Sequence, residues 1–186
     1  MRQTQRAVRL IGVGMCVVLL VACASVTMQT APLVSAPQAN TALVTFVRTS
    51  VFFGDGISMD IWDGERFIGA LGAGKLVQYE TELGEHLFLA NAENWSYTTA
   101  NLLPGKRYFI KANIFPGIGS GRVALAVVSK TDSRIEEWQS KLKPMRALPA
   151  DKQALESKKK DQVQAAVMAF KAGKVTFSTL RPEEGL

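Results

Sequence analysis

Cysteine and histidine are almost missing from this chain. Its 186 residues hold two cysteines, Cys16 and Cys23, and a single histidine, His86. A tetrahedral metal site draws about four ligands from Cys, His and carboxylates, and a lone histidine with no cysteine or acid cluster near it in sequence does not assemble one. A disulfide framework is excluded as well, because Cys16 lies inside an N-terminal apolar run that reads as a removable segment. Stability has to come from an ordinary core, for which a chain of this length is sufficient. A long apolar run is also lacking. Leu10 to Val21 is about a dozen residues, against the roughly 20 needed to span a bilayer. No EF-hand spacing, Walker lysine or dinucleotide glycine pattern occurs, although Gly117-x-Gly119-x-Gly121 superficially resembles a phosphate loop.

What the N-terminus does contain is an address. Arg2, Arg6 and Arg9 form a positive segment without acids, the apolar run follows, and small residues close it. That is the order of a secretory signal peptide. Leu20-Val21-Ala22-Cys23 is similar to the lipobox of bacterial lipoproteins, which predicts cleavage before Cys23 and a diacylglyceryl and N-acyl lipid on its sulfur and amine. Two or more chains hold a protein on a membrane stably at ~0.8 kcal/mol per buried CH₂. A rival cut after Ala24, at the small-x-small pattern Ala22-Cys23-Ala24, would leave a soluble secreted protein. Ala24 rather than aspartate after the cysteine implies, by likeness to Gram-negative lipoproteins, transfer to the outer membrane with the domain facing the periplasm. The expected order is a signal peptide over 1–22, a lipidated N-terminus and flexible tether over 23–41, a β domain over 42–130 and a helical extension and tail over 131–186.

Of the formal net charge of +6, the three leader arginines account for half. The remaining basic excess sits after residue 130 and is too dilute for a nucleic-acid footprint. Residues 24–40 carry no charge and are rich in Ala, Ser, Thr and Pro. As a coil they would span ~20–25 Å.

From Ala42 to Ser129 the period is that of strands. Leu43 to Val47 is β-branched and aromatic, Ile57, Met59 and Ile61 alternate with Ser58, Asp60 and Trp62, and Asp63-Gly64 sits between apolar runs as a hairpin signal. Further strands fall near 75–80, 86–90, 96–102, 107–112 and 122–128. This predicts a mainly β chain, an antiparallel β-sandwich of about seven or eight strands. After Ser129 a helical period begins. Asp132 or Ser133 can cap it, Ser133-x-x-Glu136 reads as a capping box, and Ile135, Trp138 and Leu142 share one face. Asp151 is placed to cap a second helix that carries Leu155, Val163, Ala166, Val167 and Phe170 and stops at Gly173. A last piece, Lys174 to Ser178, reads as a strand or an extended tail.

Phe46-Val47-Arg48, Ile61-Trp62-Asp63-Gly64, Ile68-Gly69, Tyr79-Glu80, Gly84-Glu85-His86-x-Phe88 and Leu103-Pro104-Gly105-Lys106-x-Tyr108 occur in that order. Over residues 42–130 this pattern resembles the DUF2846 family of small bacterial lipoproteins, and its Gly-x-His segment is similar to PEGA domains. The resemblance implies a transthyretin-like β-sandwich. It implies no catalytic residues.

The site candidates are few. His86 could act as a base or ligand but opens a strand just past a glycine turn. Asp55, Asp60, Asp63 and Glu65 read as a solvated hairpin rim. Trp95 and Tyr97 share a strand face and, with Trp62, could form a sugar platform or pack in the core. Phe115 and Ile118 flank a loop tip and suit a partner contact. Lys158 to Lys160 reads as a solvated helix face. The expectation is an outer-membrane lipoprotein with a non-catalytic binding or scaffolding role, its partners being membrane lipid through Cys23 and an envelope protein or glycan, with no nucleic acid and no cofactor beyond the covalent lipid. An envelope-processing enzyme and a subunit of a secretion or transport complex are the alternatives.

Overall fold

A computed structural model describes residues 26–119 and 121–186. Leu20, Val21, Ala22 and Cys23, and with them the expected signal peptide and lipidation site, lie outside the described residues.

The strands expected from two-residue alternation are present: β2 (Ala42–Arg48), β3 (Met59–Asp63), β4 (Arg66–Leu71), β5 (Lys75–Thr81), β6 (Gly84–Asn91), β7 (Trp95–Leu102), β8 (Arg107–Pro116) and β9 (Gly121–Val127). Three more are β1 (Met28–Thr30), β10 (Lys143–Ala147) and β11 (Phe177–Leu180), and the helices are α1 (Arg134–Lys141) and α2 (Pro149–Lys171). Asp63 pairs with Arg66 across the β3–β4 turn, with Gly64 at φ 55°. A positive φ at the first turn position is what glycine supplies without strain.

The strands form two sheets, ordered β1-β10-β5-β2-β8-β9 and β11-β7-β6-β3-β4. Both are mixed, which corrects the purely antiparallel expectation: β2 pairs in parallel with β8, β10 with β5 and β11 with β7. The chain alternates between sheets, with β2, β5 and β8–β9 in the first and β3–β4 and β6–β7 in the second. Sequence neighbours are therefore often not sheet neighbours. Alternation in the sequence reports which face is buried and is silent about the partner strand.

The largest apolar cluster takes Val44, Phe46 and Ile110 from the first sheet and Ile61, Phe88 and Ala100 from the second. α2 adds Leu155, Val163, Ala166 and Val167 to a second cluster with Trp62, Phe67 and Leu89 of the second sheet. α1 adds Ile135 and Trp138 to a third with Val47, Leu76 and Phe109 of the first sheet.

Three expectations change. The described part of the tether is docked, not free. β1 pairs with β10, Thr27 N donates to Asp151 at 2.8 Å, and Gln78 binds Val34 N at 2.7 Å and Val34 O at 2.9 Å. A segment poor in charge still presents backbone donors and acceptors, and strand β10 and outward side chains of β5 satisfy them. The helix caps differ too. Of the two candidates at α1, Asp132 accepts from Arg134 N and Ser133 makes no side-chain cap; α2 opens after Leu148 with Pro149 in its first turn, so Asp151 does not cap it and holds Thr27 instead. Finally, residues 131–186 are built into the body: β10 joins the first sheet and β11 the second.

The register gives the molecule two ends. Val26 lies two residues before the Met28–Ala147 pair, level with Thr81 and Ala42. The turns at 82–83 and 103–106 share this near end. Arg48, Lys75 and Phe115 lie at the far end, with the connections 49–58 and 117–119.

Candidate functional site

His86 and Asp63 are brought together by the β3–β6 pairing. Asp63 lies opposite Phe88, and strand alternation turns Asp63, His86 and Phe88 to the same face. Nδ1 of His86 lies 2.8 Å from Asp63 Oδ2, and Nε2 lies 3.1 Å from the Glu82 carbonyl. Both ring nitrogens face acceptors, so the imidazolium satisfies both. The hydrogen bond to Asp63 is the main reason the His86 pKa is raised. Tyr79, from the other sheet, donates to the same Asp63 oxygen at 3.1 Å and accepts from Arg66 at 3.3 Å. Burial is the first cause that pushes the Tyr79 phenol upward. A base must offer its nitrogen to a substrate; this ring is stacked on Phe88 at 5.6 Å and bonded at both nitrogens. The arrangement is a charged clip between the sheets at the near end.

Trp95 and Tyr97 do share a face, as alternation predicts, and Trp62 joins them. That face lies under α2 and is not an open platform. Tyr97 is buried and stacks on Phe170 at 6.2 Å, and Phe170 meets Phe177 edge-on at 5.3 Å. Beside Phe170 a groove of about 460 Å³ runs over Leu87, Thr99, Asn101 and Arg181. Of the hairpin acids, Asp60 bonds Lys159 of α2 and Glu65 accepts from Gln164 at 3.0 Å. The lysine run is thus tied to the body by its middle member, with Lys158 and Lys160 exposed.

The far-end loops are built differently. Phe115 is half exposed and Ile118 is 102% exposed. Next to them, Val51, Phe52 and Phe53 are exposed, Phe52 at 109%. Each loop is held by a polar side chain beneath it. Arg48, 1% exposed, donates to the carbonyls of Gly54, Ile57 and Leu71. Burial is the main effect on its guanidinium and lowers its pKa, opposed by Asp55. Asp55 accepts from Ser50 and Val51 N, which closes the loop. In the other loop Glu93 accepts from Ile118 N at 2.8 Å and Gly119 N at 3.3 Å. The two loops touch: a Cβ on Gly121 would fall 2.6 Å from Ile57 Cδ1 and 3.0 Å from Ile114 Cγ1, so a larger residue there would have to displace the Ile57 side chain. Glu93 thus occupies the Ile118 and Gly119 amides that a phosphate would need.

Compared with family models, curated proteins and solved structures, the chain matches none. Among the described residues, no helix is long and apolar enough to cross a membrane.

Phe115 and Ile118 were legible as candidates because an apolar residue beside loop glycines is out of place. Val51-Phe52-Phe53 escaped the sequence reading, though the same signal marks it: three apolar residues between Ser50 and Gly54-Asp55-Gly56, in a connection and not in a strand. Arg48 had no such signal, since a strand-end arginine ordinarily faces water.

Proposed function

We propose that this chain is a lipid-anchored protein of the bacterial outer membrane with a non-catalytic binding role, its two sheets forming a sandwich of the DUF2846 kind. The observation that carries the reading is the position of Val26. It stands three residues after Cys23 and at the near end of the body. Three residues reach at most about 10 Å, so lipid on Cys23 would hold the near end against the membrane. β8 alone has ten residues, about 33 Å of strand, and the far-end loops would stand at least that far into the periplasm. The docking of residues 27–41 on the first sheet makes this a short stalk. The clip that closes both His86 nitrogens favours binding over hydrolysis.

Metabolic labelling with a fatty acid tests the anchor. Wild type is expected to take up label and sediment with membranes, and Cys23→Ala to lose both. A Cys23→Ala chain that still sediments with membranes would overturn the anchor.

A further inference from the structure

We infer that the far-end loops, with Phe52 and Ile118 at their tips and Val51, Phe53 and Phe115 around them, form a docking surface for an apolar groove on a different protein. The inference rests on the anchored orientation proposed above and adds what that orientation presents.

The exposed parts of the five side chains amount to on the order of 600 Å² of apolar surface, taking 150–200 Å² for a whole large side chain. An apolar patch of a few hundred Å² on a protein that remains soluble marks a contact site, and a partner in a standard interface contributes about 800 Å². The surface is also pre-ordered. Buried Arg48 pins the first loop through three carbonyls, and Glu93 pins the second through two amides. Loops already fixed in place lose little freedom on binding, which raises affinity for a given area.

Position selects the occupant. A bilayer-docking surface uses clustered Lys and Arg against anionic headgroups. Here the cations Arg122, opposite Phe115, and Lys75 and Lys143, level with Arg48, are spread around the loops and interspersed with the acids Asp55 and Glu93, so position and not charge decides. The anchor geometry points the loops away from the membrane that holds Cys23. A second copy fits poorly, since packing tip to tip would direct the two anchors to opposite sides, at least about 70 Å apart. A protein partner with a complementary apolar groove meets neither objection.

The test places a photoreactive phenylalanine analogue at position 52 or 118 of the full-length chain in cells, with positions 83 and 103 as controls. Leu83 and Leu103 are both 41% exposed but lie at the near end. Positions 52 and 118 are expected to give the same heterologous protein adduct, absent from 83 and 103. Ile118→Asp is expected to lower the yield at position 52 at least about tenfold, while Ile118→Leu retains it. Ile118 is fully exposed, and since an aspartate there would stand beside Glu93, which holds the loop, the uncharged Ile118→Asn is expected to lower the yield in the same direction while keeping the wild-type melting temperature. Adducts of position 52 or 118 with lipid or with a second copy, equal protein adducts at all four positions, no adduct at 52 or 118, or indifference to Ile118→Asp each overturn the inference. Fatty-acid label on Cys23 is read in the same cells. Label kept without the adduct fails the docking surface alone; adduct kept without label fails the anchor.

Discussion

Replacing Arg48 by methionine should release the loop that carries Phe52 while leaving the β body folded. Arg48 is 1% exposed and donates to three carbonyls, those of Gly54 and Ile57 in the loop and that of Leu71 at the end of β4. A hydrogen bond from a charged donor contributes about 1.5–3 kcal/mol net. Three would add up to far more than the expected loss, because methionine also removes the several kcal/mol of desolvation that a buried guanidinium carries. Without the donor, Gly54 O and Ile57 O can rehydrate as the loop opens. Leu71 O is buried beneath it, and an orphaned buried carbonyl costs about 1–3 kcal/mol. The net expectation is a loss of about 2–3 kcal/mol, or about 4–12 °C in melting temperature for a chain of this size. Arg48→Lys should lose nearly as much, since one ammonium does not reproduce a planar fork directed at three acceptors. Urea denaturation gives the global loss. Hydrogen exchange gives the local one, read at the Ile57 amide, which donates to Gly54 O at 2.9 Å. Loss of protection there, with protection in β2 and β8 retained, is the expected result. If Arg48→Met leaves the Ile57 amide protected and the midpoint unchanged, the guanidinium does not organise the loop and the reasoning fails.

Two further outcomes follow from the interior. His86→Ala should cost about 2–3 kcal/mol at low pH, as one charge-assisted bond to the half-buried Asp63 is lost. The imidazole's folded pKa is raised above its ordinary 6.5, so the wild-type contribution is complete below about pH 6.5. It declines as pH rises through the raised folded value, and the stability gap to His86→Ala should narrow there; a gap that widens with pH would refute the clip. Trp62 is fully buried, and among the described residues its Nε1 has no hydrogen-bond partner. Trp62→Phe removes that orphaned donor, so its urea midpoint should correspond to a change within about 1 kcal/mol, whereas Trp62→Ala opens a cavity and should cost about 3–5 kcal/mol. A Trp62→Phe loss as large as that of alanine would mean that the indole N–H is satisfied.

The strand order from β2 to β9 was legible because period-two burial is a property of short windows. Ile61, inside the shared core, and Trp62, under α2, sit side by side in sequence on opposite faces of one strand. Both helices were legible for the same reason at a period of 3.6: the stripe from Leu155 to Val167 is the face that meets the second sheet. The caps were less so, because Asp132 and Pro149 compete with Ser133 and Asp151 for the same task, and the winner depends on where Arg134 and Thr27 come to lie.

The pairing of His86 with Asp63 lay beyond any local pattern. The two residues are 23 apart in sequence and meet because β3 and β6 are neighbours in a sheet whose order local patterning does not encode. The aromatic face of Trp95 and Tyr97 was identified correctly as a face, but whether it met solvent, the other sheet or a helix was decided by α2, more than fifty residues later.

By itself, then, the sequence determined the local periods, the turns at Asp63-Gly64 and Gly173, and the apolar loop residue Ile118. Tertiary structure decided which strands pair, that residues 28–30 and 143–147 complete the first sheet, that Arg48 is buried beneath a loop, and that Phe52 and Ile118 share one end while Val26 occupies the other. The division has a physical basis. Burial period and turn propensity are set by a few adjacent residues, whereas strand partners, orphaned charges and the meeting of two loops are set by contacts between segments that only the folded chain brings together.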